Sequence, residues 1–96
     1  MLIKAGVDIS RLNREIRRSL NKVEDVFNKY DEELIITSTF EGNHSTGSLH
    51  YANEAYDTRL PKYNRAEIKQ EIGDALGKQF IILLEVNHIH IGYDPK

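Results

Sequence analysis

Phe80-Ile81-Ile82-Leu83-Leu84-Glu85-Val86 runs directly into Asn87-His88-Ile89-His90-Ile91-Gly92-Tyr93, and the reading of these residues decides the fold. The first stretch is apolar through Leu84 without alternation, the pattern of a strand covered on both faces and therefore central in its sheet. The second continues as another extended segment. His88 and His90 stand two apart, so on a strand both imidazoles leave the same face and can share one site. Glu85, on an unbroken strand, points away from them and reaches that site only if a turn or bulge near Val86-Asn87 re-aims it.

Working outward, Asn64 to Gly77 reads as a helix, with Asn64 as its cap, Ile68, Ile72, Ala75 and Leu76 on its inner face and Gly77 as its stop. Leu34 to Phe40 supplies β-branched and aromatic residues at strand length. Between them Glu41 to Tyr51 lacks apolar periodicity and is rich in Gly, Ser, Thr, Asn and His, the composition of an irregular loop. From Asp8 onward, Ile9, Leu12, Ile16, Leu20, Val23, Phe27 and Tyr30 recur at steps of three and four, one stripe of a long helix capped by Asp8 or Ser10. Arg11, Arg14, Arg17, Arg18 and Lys22 form its solvated face. The expected architecture is α+β: a single compact domain over residues 1–96, with a small central antiparallel sheet and two main helices packed against it.

Composition narrows the function. Forty per cent apolar and 29% charged residues describe a chain that folds. At 96 residues it has room for one core and no separate regulatory domain. Thirteen basic residues against 15 acidic give a formal net charge of −2, which provides no sequence-wide attraction for nucleic acid or for an anionic membrane. With no cysteine, thiolate metal sites, disulfides and cysteine nucleophiles are unavailable. Met1 to Val7 lacks the apolar region of a signal peptide, so the expectation is cytoplasmic synthesis, with action outside requiring release by other means.

The four histidines fall in two clusters, His44 with His50 and His88 with His90, each beside a carboxylate, Asp57 or Glu85. Imidazoles with one carboxylate are the ligand set zinc takes when no thiolate is offered, and three protein ligands leave a fourth position for water. His50 and Asp57 are an odd number of residues apart and cannot share a site on one straight strand. A turn is needed between them, and Asn53 suits it because asparagine tolerates positive φ.

Ser48-Leu49-His50-Tyr51-Ala52-Asn53-Glu54-Ala55-Tyr56-Asp57 resembles the Ser-x-His-x-x-Gly-x-Ala-x-Asp signature of the M15 zinc peptidases, a group of D-alanyl-D-alanine carboxypeptidases, dipeptidases and phage endolysins. Four of the five defining positions match, with Asn53 in place of Gly. Glu85-Val86-Asn87-His88-Ile89-His90 resembles that group's second signature, an acidic residue followed by the last histidine ligand. The two motifs stand in the family order, although the chain is short for the group.

The resemblance implies zinc as cofactor, with His50 and Asp57 as ligands. It leaves two forms of the third ligand open: Glu85 as general base with His88 as ligand, or His90 as ligand with His88 beside the water. The second is preferred because Ile91-Gly92-Tyr93 continues the strand as the family does after its last ligand. Glu85 and His88 are then the catalytic pair, and Ser48 and His44 contact substrate. The implied reaction is hydrolysis of a peptide bond next to a D-amino acid in a peptidoglycan stem peptide, by a monomer of the carboxypeptidase or endolysin type, acting on the cell wall after phage-type release. A non-catalytic zinc-containing wall-binding module of the same fold is the alternative.

Overall fold

The computed structural model describes residues 1–41, 48–49 and 52–95. In chain order its elements are β1 (Leu2–Ile3), α1 (Arg14–Lys29), β2 (Ile35–Ser38), β3 (Ala55–Arg59), α2 (Arg65–Leu76), β4 (Phe80–Leu84) and β5 (His88–Tyr93). The strands form one sheet in the order β1-β2-β3-β5-β4, antiparallel throughout except for the parallel pair β1 and β2. This is the expected α+β architecture, with one parallel edge strand added.

Strand alternation divides the sheet into a helix-covered face and an opposite face, open only in that neither helix packs on it, since Ala55, Asp57 and Gly92 there are still buried. Tyr56 and Thr58 of β3 and Ile89 and Ile91 of β5 are fully buried; the tyrosine and isoleucines pack with Ile16, Leu20, Val23 and Phe27 of α1 and Ile68 and Ile72 of α2. Burying side chains of this size is worth roughly 1.5–3 kcal/mol each, so the helices are held mainly by this layer. One polar contact crosses it. Ser19 Oγ donates to the Ile16 carbonyl at 2.6 Å, and its oxygen faces the Tyr56 hydroxyl at 2.8 Å, tying α1 to β3. Burial pushes the Tyr56 hydroxyl far up from its ordinary pKa, so it stays protonated and can act as the donor.

Four expectations about strand position, helix ends and helix faces need correction. β4 is an edge strand, and β5 is an interior one, flanked by β3 and β4. The apolar run of β4 packs only partly: Leu83 and Leu84 remain 45% and 40% exposed. In β5 the alternation of isoleucine and histidine reflects one covered face and one open face.

Helix α1 begins at Arg14 rather than near Asp8. Asp8 Oδ1 accepts from the amide and hydroxyl of Ser10 at 2.8 and 2.6 Å, a local turn that competes with helix. Leu12 nevertheless reaches the core at 4% exposure, which is why helical spacing extends past the helix. In α2, Asn64 occupies the N-cap position in a left-handed conformation and makes no side-chain cap bond, Ala75 is exposed, and Gly77 ends the helix at φ 90°.

Candidate metal centre

Asp57 and His90 are direct partners across β3 and β5, so the pleat sends both side chains to the open face. His90 Nδ1 lies 3.2 Å from Asp57 Oδ1, and His88 Nε2 lies 3.8 Å from Asp57 Oδ2. The Asp57 residue is 8% exposed. A bulge in β2 between Ile36 and Ser38 lies against this point, and Thr37 Oγ1 donates to the Asp57 carbonyl at 3.3 Å. Bulges of this kind re-aim side chains beside functional sites.

The turn entering β3 is built as the odd spacing requires. Asn53 adopts φ 60°, the left-handed conformation that glycine takes most readily and asparagine next. The turn is pinned to the start of α1: the Asn13 amide donates to the Asn53 carbonyl at 3.0 Å, and the Asn13 side-chain amide donates to the Ala52 carbonyl and the Glu54 carboxylate. Asn13 stands at the N-cap of α1 but makes no side-chain bond to the helix amides, and its side chain holds the turn instead. The Glu54 amide donates to the Leu49 carbonyl at 2.9 Å. Leu49 then folds over Gly92 of β5, where an added Cβ would come 2.9 Å from Leu49 Cδ1 and 3.1 Å from His90 Nε2. Gly92 is thus a site residue that the sequence reading passed over; its signal was a glycine inside a strand, which often marks a close approach.

Glu85 is re-aimed by a turn. The β4–β5 register pairs Leu84 with Ile89, and the Glu85 amide donates to the His88 carbonyl at 2.9 Å, so Glu85 stands opposite His88 across the hairpin and shares its face. Among the described residues no hydrogen bond or ion pair joins its exposed carboxylate to His88, His90 or Asp57. Ser48 precedes Leu49 and is half-buried. His44 and His50 lie outside the described residues.

Two ligands held about 2.0–2.1 Å from a tetrahedral zinc stand about 3.3 Å apart. The Asp57–His90 separation of 3.2 Å fits that geometry. Among the described residues no group of three His, Cys, Asp or Glu side chains converges enough to hold a metal, so a closed ligand set needs a donor from beyond them.

The family described as peptidase M15 matches residues 2–92, nearly the whole chain. The chain belongs to the M15 peptidase family. This makes it a peptidase of a typically metal-dependent hydrolase family, and the resemblance read from two short motifs extends across the fold. No curated protein and no solved structure matches the chain. No helix among the described residues is long and apolar enough to cross a membrane.

Proposed function

We propose that this M15 peptidase is a zinc enzyme hydrolysing a peptide bond next to a D-amino acid in peptidoglycan stem peptides, of the D-alanyl-D-alanine carboxypeptidase or endolysin type. The observation that carries the reading is the Asp57–His90 pair, set at ligand separation on the open face of a chain whose family is that of M15 peptidases. His50, Asp57 and His90 are the ligands; His90 is preferred over His88 because its ring nitrogen is the closer to Asp57. When bound, zinc would polarise the scissile carbonyl and acidify the attacking water.

The chain's own residues supply the rest. Glu85 takes the proton of the attacking water on its carboxylate and returns it to the leaving amine, for which it must swing from its exposed position toward His88. His88 stands over the same face with its Nε2 toward Asp57 and holds the water or the developing oxyanion. Ser48 and His44 contact the substrate. The enzyme acts as a monomer on the cell wall after phage-type release.

A second reading, a zinc-containing wall-binding module, is favoured by the lack, among the described residues, of any bond between Glu85 and His88 or His90. Metal analysis of the purified protein, combined with product identification on defined muropeptides, separates the two. Close to one zinc per chain with a released D-amino acid or split stem supports the enzyme. Zinc with muropeptide binding but no product supports the module, and absence of zinc removes both.

A further inference from the structure

The hairpin joining β4 to β5 violates the rules of its own turn. A two-residue hairpin loop favours positive φ, hence Asn-Gly or Gly-containing pairs. Here the loop is Val86-Asn87, neither residue has positive φ, and Val86 is 95% exposed at the tip. Asparagine is therefore not at position 87 for its left-handed tolerance. Its side chain has a different use: Asn87 Oδ1 lies 2.5 Å from His88 Nδ1.

An amide oxygen can only accept, so the ring nitrogen facing it must carry the proton. In neutral imidazole the other nitrogen is then unprotonated. We infer that Asn87 is a positioning residue that holds neutral His88 as the Nδ1–H tautomer and presents the Nε2 lone pair to the open face. Nε2 faces Asp57 Oδ2 across 3.8 Å, too far for a direct hydrogen bond. Two acceptors facing across such a gap repel unless a positive group stands between them, a water proton or a cation. Asn87 thus makes His88 an acceptor for the attacking water, or a ligand in waiting. It excludes neutral His88 as the donor to a developing oxyanion, which narrows the two roles left open for that residue.

The catalytic consequence rests on the peptidase reading; the tautomer does not. Two-bond proton–nitrogen correlation spectra of the full chain, labelled at histidine nitrogens and stripped of metal, read the tautomer directly at a pH about two units above the ordinary imidazole value. The expected result is Nδ1–H for His88 in the parent and in Asn87→Asp, which keeps a carbonyl oxygen, with Nε2–H becoming dominant in Asn87→Ala. In the active enzyme Asn87→Ala should lower kcat by about 10–100-fold with KM and zinc content little changed, and Asn87→Asp should recover most of the loss. An Nε2–H tautomer in the parent overturns the inference, as does a tautomer unchanged by Asn87→Ala. A parent without hydrolysis overturns the peptidase reading alone, since the spectra still decide the role of Asn87.

Discussion

Asp57 and His90 occupy one rung of the ladder between β3 and β5, with Oδ1 and Nδ1 3.2 Å apart. A hydrogen-bonded pair and a pair sharing one metal have nearly the same separation, so substitution must tell them apart. Asp57→Ala, His90→Ala and His50→Ala should each abolish uptake of one zinc per chain, measured by metal analysis after dialysis. Tight stoichiometric zinc surviving Asp57→Ala or His50→Ala would remove the ligand assignment; survival in His90→Ala alone would move the third ligand to His88.

Glu85 and His88 face each other across the β4–β5 hairpin, and their substitutions separate proton transfer from metal binding. Glu85→Gln keeps size and hydrogen bonding while removing the base, so hydrolysis of stem peptides should fall by about 10²–10⁴ with zinc retained. His88→Ala should slow the reaction with zinc content normal. Full activity in Glu85→Gln would show that another group handles the proton.

Gly92 leaves space that both Leu49 and His90 use. In Gly92→Ala the new methyl meets Leu49 Cδ1 and His90 Nε2, so the chain should lose about 1–3 kcal/mol in denaturant unfolding and bind zinc more weakly. Leu49→Ala added to it should recover part of the lost stability by removing the tighter contact. A Gly92→Ala protein with unchanged stability and zinc affinity would show that the space is not needed.

Glu41 ties the N-terminal segment to the end of β2: its carboxylate accepts from the Asp8 amide at 2.8 Å and from the amide and hydroxyl of Thr39 at 2.9 and 2.7 Å. Partial burial pushes this carboxyl up, but the bonds from Thr39 and Asp8 outweigh it and hold it below the ordinary carboxylate range. A folded-state pKa below the unfolded one gives stability that is present above the unfolded value and lost as pH falls through the folded value. Glu41→Gln should therefore be less stable than the parent at neutral pH, with the difference shrinking on acidification. A difference independent of pH would mean that the charge of Glu41 contributes nothing.

The sequence made some of this legible because local chemistry determined it. The left-handed turn at Asn53, the stop at Gly77 and the shared face of His88 and His90 each follow from one residue's geometry or from a period of two. The position of β4 does not, because an apolar run records how much surface prefers to leave water and not which neighbour covers it. Leu12 illustrates the same limit, since a residue can reach the core at helical spacing without being helical. The parallel pairing of β1 with β2 joins segments more than thirty residues apart, Leu2 with Ile35, and has no local signature. Gly92 and Asn87 were hidden because their roles depend on what lies across the fold or on a ring tautomer.

Placing the histidine strand inside the sheet, away from either edge, has a consequence for how errors in folding would be detected. β5 is bonded on both sides, to β3 and to β4. A slip of one residue against either neighbour would turn His88 and His90 into the helix layer and push Ile89 and Ile91 into water. A misregistered chain would then lack the donors for metal as well as its core, so zinc occupancy measured on a preparation should count its correctly paired molecules.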